Sequence, residues 1–243
     1  MPRSALGIDL ASRNVRTAAA LLTRGGNGSG SVEILEVDVS DQRILELSGR
    51  ADATGIDAPF GWPDGLRRFL DHGPPADGVE RGWFDGARNE VFLRATDRFV
   101  WQKIGKKPLV VAADLIAYPA LRCAGLLAAL GITDRSGADG VFEVYPAATL
   151  IQWAIPIRRA ASAQLAAAVV DRFPGLEITN EQKALLESNR DALDAVVAAL
   201  STLAAADGAS CPIPEELRDR ARREGWIHIP DLRAPAGLGA WSE

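Results

Sequence analysis

The stretch NRDALDAVVAALSTLAA, Asn189–Ala205, constrains the fold more than any other part of the chain. Its alanines, valines and leucines run round the whole helical period, so a helix built from it must be largely buried. Asp191 and Asp194 stand three apart at its head and share one face. An acid in such a place needs a neutralising base or a cation, because burying an unpaired charge is costly. For Asp191 the competing account is a helix N-cap. Asp194 lies a turn further in, where a cap does not explain it.

Three more acids end or follow short apolar runs: Asp9 and Asp57, each closing the tripeptide GID, and Glu143 in FEV. Ala5–Leu10 reads as a strand, Val15–Thr23 as a second after a turn at Ala11–Asn14, and Ser31–Val39 as a third. Gly25–Ser31 is a hairpin connection, because a phosphate-binding glycine loop would open a helix instead. A helix over Ser40–Gly49 and a fourth strand, Ala53–Asp57, complete a meander with a crossover that returns beside the first strand. Asp9 and Asp57 then become neighbours about 4.8 Å apart on one face. A helix laid across that face delivers Asp191 and Asp194 to the same spot.

Between the fourth strand and a fifth at Val141–Tyr145, residues 62–140 exceed a normal crossover and read as a helical insertion. Helices are expected at Asp64–His72, Asn89–Lys103 and Pro108–Leu130, the last divided by Pro119, with a mobile loop at Gly73–Gly86. Further helices follow at Arg158–Phe173, Asn180–Asn189, Asp191–Ala206 and Glu215–Glu224, with a last strand in WIHIP. The whole 243-residue chain is one domain, 47% hydrophobic, which is ample for a core. No apolar run is long enough to span a membrane. Two cysteines are too few for a disulfide framework, so a cytoplasmic protein is expected. The net charge of -5 gives no global attraction to nucleic acid, although a local basic groove is compatible with it.

The order of elements, the Asp in strands one and four and the DALDA helix resemble the ribonuclease H-like superfamily, and DALDA is similar to the metal-binding helix of RuvC-type junction resolvases. The set GIDLA, GIDAPFG, RATD, FEVYPAA, DALDAVVAAL and EGWIHIP resembles, more closely, a domain-of-unknown-function family (number 429) described as predicted ribonuclease H-like nucleases. The resemblance implies an α/β fold with a mixed five-stranded sheet flanked by helices. It also implies a metal-dependent phosphodiester hydrolase, with Asp9, Asp57, Glu143, Asp191 and Asp194 as catalytic and metal-binding acids for Mg²⁺ or Mn²⁺. Such all-oxygen donor sets suit hard cations. The strand-four acid of the resolvases is usually Glu, whereas here it is Asp57.

Arg94 and Asp97 of RATD match the family motif. Arg94 would hold a phosphate with its planar fork; alternatively Asp97 caps a helix and Glu143 pairs with Arg94. Trp101, Lys103, Lys106 and Lys107 could stack a base and track a nucleic-acid backbone, DNA or RNA, against the plainer account of a solvated basic loop. RDRARRE, at Arg218–Glu224, reads as an exposed charged helix face. Two other functions compete with hydrolysis. One is a non-catalytic or decayed domain binding a protein or nucleotide. The other is a relative of the ATP-dependent sugar and acetate kinases, because GIDLASRNVRTAAALL resembles their first phosphate loop.

Overall fold

Repetition of GID sets the middle of the sheet. The computed structural model describes residues 3–25, 29–78, 80, 82–157 and 160–231. In chain order its elements are β1 (Ser4–Asp9), β2 (Ala18–Arg24), β3 (Gly30–Val37), α1 (Asp41–Ser48), β4 (Ala53–Asp57), α2 (Asp64–His72), α3 (Trp83–Phe92), α4 (Ala95–Ile104) and α5 (Ala117–Ala129). Then come β5 (Val141–Val144), α6 (Pro146–Gln152), α7 (Ser162–Arg172), β6 (Leu176–Glu177), α8 (Asn180–Ser188), α9 (Arg190–Ala206), α10 (Arg218–Glu224) and β7 (Ile227–His228). The sheet order is β6-β3-β2-β1-β4-β5-β7. β1 pairs antiparallel with β2, and β2 with β3, while β4 returns parallel to β1. Gly7 stands opposite Gly55, and Asp9 opposite Asp57.

Side chains alternate across β1. Leu6, Ile8 and Leu10 enter a core with Ile44 and Leu47 of α1 and Leu126 and Leu127 of α5. Ala5, on the other face, packs with Ala195, Ala199 and Leu203 of α9. α9 lies unusually close to the sheet there, because neither Gly7 nor Gly55 carries a side chain. A Cβ on Gly7 would strike the backbone of Ala195 and Ala199, and one on Gly55 would strike the Thr202 hydroxyl. Every α9 residue from Ala195 to Ala205 is buried. Because the Ala195 turn covers Gly7, the preceding turn, with Asp194, reaches toward the strand ends that carry Asp9 and Asp57.

Several expectations change. The sheet has seven strands rather than five: β6 and β7 are two-residue additions at its edges. The helix expected over Asn89–Lys103 is interrupted at Leu93 and Arg94, and Trp83–Phe92 is already helical inside the stretch expected as a loop. Pro119 does not divide its helix. It sits in the first turn of α5, where a missing N–H leaves no hydrogen bond unmade. Asp191 is not the N-cap of α9: Asn189 is, its side chain accepting from Ala192 N. The hairpin connection at Gly25–Ser31 and the start of the helix expected at Arg158 fall partly outside the described residues. Among those residues no helix is long and apolar enough to cross a membrane.

Close approach of α9 gives a direct expectation. Gly7→Ala and Gly55→Ala lower stability by about 3 kcal/mol, the upper part of the overpacking range. Gly125→Ala, where α5 offers open space, is neutral or stabilising by up to about 1 kcal/mol. Denaturant unfolding of the three variants checks this, and equal effects would show that the glycine pair does not set the packing.

Candidate functional site

Four elements supply the acids. β1 and β4 end side by side with Asp9 and Asp57, α9 brings Asp191 and Asp194, and β5 carries Glu143. A pocket of about 200 Å³ opens at these strand ends, lined in part by Asp9, Asp57, Glu143 and Tyr145. The acids divide into two sets according to their partners.

Glu143 is fully partnered. Its register partner on β4 is Ile56, one residue out of phase with Asp57, so its side chain leaves the sheet on the other face from Asp9 and Asp57. There it accepts from Arg94 Nη2 at 2.7 Å, Arg94 Nη1 at 2.9 Å and Phe60 N at 3.0 Å. Arg94 also donates to Asp97 Oδ1 at 2.8 Å and to the Glu224 carbonyl at 3.1 Å. Arg94, Asp97, Glu143 and Glu224 are all buried. Burial pushes the Glu143 carboxyl up and Arg94 pulls it back. Asp97 Oδ2 accepts from Arg94 N at the head of α4, Thr96 Oγ1 accepts from Ile227 N, and the Glu224 carboxylate accepts from Ala95 N and Asp64 N. Gly225 has φ +87°, and a Cβ there would strike Glu143 and Phe60. RATD, FEVYP and EGWIHIP thus meet in one buried polar network.

That network is the plainer arrangement the sequence offered for these residues: Asp97 closes the head of α4 and Glu143 pairs with Arg94. Arg94 is 2% exposed and its donors are spent on carboxylates and a carbonyl, so it joins α4, β5 and α10 rather than reaching for a phosphate. Glu143 is engaged by Arg94 and Phe60 while it still lines the pocket with Asp9 and Asp57. Removing one member of such a buried pair typically costs about 3–5 kcal/mol, through the charge left behind. Trp101 is 43% exposed, with Lys107 Nζ 5.4 Å from its ring centroid, and Lys103 is exposed nearby on α4; neither lines the acidic pocket.

Asp9, Asp57 and Asp194 form the second set. Neither Asp9 nor Asp57 has a side-chain hydrogen bond or ion pair among the described residues. Asp194 Oδ2 accepts from Arg190 Nε at 2.8 Å, but its buried Oδ1 has no partner. Asp191 stands at the rim, paired with the exposed Arg16 at 2.7 Å. Burial, then the charges of Asp194 and Asp191, raises the Asp9 carboxyl from 3.8 to about 8. Burial and the charges of Asp9, Asp194 and Glu143 hold Asp57 well above its ordinary value. Asp194 is raised too, by burial, against the pull of Arg190.

Two residues stand closer to this site than the sequence suggested. Lys106 placed itself only in a basic run, yet its Nζ lies 5.6 Å from the Tyr145 ring centroid and its charge is favoured by Asp194 and Asp57. Burial and Arg190 more than offset that, leaving the amine below its ordinary range. Tyr145, beside the same acids, is pushed up to about 12 by burial and stays a phenol at neutral pH. The tyrosine in FEVYP was the available signal.

Among the described residues no three His, Cys, Asp or Glu side chains close into a ready-made metal cage. The donor chemistry nonetheless suits a hard divalent cation: adjacent carboxylates from β1 and β4, and an orphaned carboxylate oxygen on α9. Like charges so placed repel unless protons or a cation come between them.

The family described as "Protein of unknown function (DUF429)" matches residues 7–218. No curated protein and no solved structure matches the chain.

Raised carboxyls fix a pH dependence. Asp9 and Asp57 keep protons in the fold that the unfolded chain releases near 3.8. The native state therefore binds more protons between about 4 and about 8, and metal-free stability falls as pH rises through that window, by at most about 1.4 kcal/mol per pH unit per group. His228, lowered to about 4 by burial, acts oppositely, but only below its ordinary 6.5. Thermal unfolding in chelator should show the melting temperature falling from about pH 7 to about pH 8, and Asp9→Asn should flatten the slope and raise stability at the upper end. A wild-type protein that gains stability over that interval contradicts the assignment.

Proposed function

This chain belongs to the DUF429 family, and we propose that it is a metal-dependent phosphodiester hydrolase with a ribonuclease H-like core, acting on nucleic acid. One observation carries the reading. Two register-matched aspartates, Asp9 and Asp57, enter a common pocket with no ion pair of their own among the described residues, beside the orphaned oxygen of Asp194. Such an arrangement destabilises the fold and is the mark of a site kept for chemistry. The central strand order β3-β2-β1-β4-β5, with a helix crossing β1 and β4, supports the superfamily reading.

Asp9, Asp57 and Asp194 would hold Mg²⁺ or Mn²⁺, with Asp191 at the rim. When bound, such ions supply a water of lowered pKa and steady charge on a leaving oxygen. The chain itself supplies the rest. Lys106 places a cation where a phosphate would meet the acids, and Tyr145 keeps its proton as a donor. The Arg94–Glu143 pair fixes Phe60 N and with it the loop that follows Asp57. Two buried cysteines, Cys123 and Cys211, suit a cytoplasmic setting.

A second reading has its own support: Asp191 and Asp194 already have arginine partners, as in a domain that shapes a surface without turning over substrate. Calorimetric titration with Mn²⁺, followed by cleavage assays on DNA, RNA and a small phosphodiester, separates the two. The hydrolase reading predicts saturable Mn²⁺ binding and metal-dependent cleavage, both reduced by more than about a hundredfold in Asp57→Asn, beyond the loss of an outer-shell partner. Binding without cleavage of any substrate selects the second reading, and cleavage unchanged in Asp57→Asn overturns the first.

A further inference from the structure

Five residues after Asp9's partner strand ends, the chain borders a second concavity. The 58–63 loop runs from Asp57, past the Phe60 N–H held by Glu143, to Trp62. Trp62 lines a groove of about 660 Å³ whose walls include Arg67 and Leu70 of α2, Arg135 before β5, and Arg222 and Arg223 of α10. Among the described residues, four arginines and no acid line it. Asp64 takes Arg223 at 2.7 Å and Arg67 at 3.6 Å, and Asp134 takes Arg222 at 3.3 Å, without lining the groove themselves. Arg135 has no carboxylate partner among the described residues; it donates to the Arg223 carbonyl at 3.2 Å. It is built in beneath the loop: a Cβ on Gly61 would strike Arg135 Nη1.

The geometry points to a binding site for a single-stranded nucleic acid in this groove, its phosphates on the arginines and a base against Trp62 and Leu70. Guanidinium forks match phosphate oxygens, and an aromatic face beside them accepts any base. A leucine 71% exposed in an arginine-lined cleft has an apolar face to offer that a free phosphate ion does not use. The five-residue step from Asp57 to Trp62 limits their separation to about 18 Å, so a strand of a few nucleotides spans from the groove to the acidic pocket. The chain's net charge of -5 hid this patch, which draws its arginines from segments more than sixty residues apart.

That the bound strand is the substrate rests on the hydrolase reading; the groove itself does not. Fluorescence anisotropy of a labelled single strand of about twelve nucleotides, in chelator and over a range of salt, tests the groove with the acids idle. The wild type should bind with a salt slope of about -0.7 for each phosphate neutralised. Arg67→Glu/Arg222→Glu, at side chains 60% and 61% exposed, should weaken binding by about tenfold or more and flatten the slope by roughly 1.4, with an unchanged circular dichroism spectrum. Arg67→Lys/Arg222→Lys should retain most of the binding. Trp62→Leu should weaken the oligonucleotide but not its competition by inorganic polyphosphate. Unchanged affinity and slope in the Glu variant overturn the site, and polyphosphate displacing the strand with no effect of Trp62→Leu overturns nucleic acid as its ligand. Strand binding by the wild type without any metal-dependent cleavage would sink the hydrolase reading alone and leave the groove standing.

Discussion

Contact between α9 and the bare backbone of Gly7 and Gly55 governs the rest of this structure. Side chains on those two residues would hold the helix off the sheet, and the turn carrying Asp194 would rise away from Asp9 and Asp57. Alanines at 195, 198 and 199 and the small Thr202 complete the fit from the helix side. The GID repeat therefore has two jobs at successive positions of each strand. Its glycines admit the helix, and two residues on, its aspartates meet what the helix delivers.

A division between satisfied and unsatisfied charge follows from this geometry. On the face toward α1 and α5, Glu143, Arg94, Asp97 and Glu224 neutralise and hydrogen-bond one another, as buried charges must. That network ties β5, α4, α10 and the loop after Asp57 into one frame. On the α9 face, Asp9 and Asp57 make no ion pair among the described residues, and their carboxyls are driven upward mainly by burial. The protein thus spends order on one side of the sheet to hold a frustrated cluster on the other.

Much of this was legible because identical tripeptides imply identical strand phase. Asp9 and Asp57 share a tripeptide, and their pairing and the parallel return of β4 follow from it. Glu143 was not legible in the same way. β5 is four residues long and buried at every position, so its sequence shows no alternation from which to read which face the acid takes. The edge strands β6 and β7, two residues each, fall below any periodic signal. RATD could be read as a motif, but whether Arg94 faced solvent or core depended on residues far along the chain, Glu143 and Glu224. The arginine groove was hidden for the same reason: Arg67, Arg135 and Arg222 become neighbours only through the fold.

The central claim is that Asp9, Asp57 and Asp194 form one cation site. Crystals soaked in Mn²⁺ and measured at the manganese absorption edge test it most directly. The account predicts an anomalous peak in contact with the carboxylates of Asp9 and Asp57, with Asp194 turned from Arg190 toward it. A saturated crystal with no peak in that pocket, or with manganese bound only elsewhere, would contradict it.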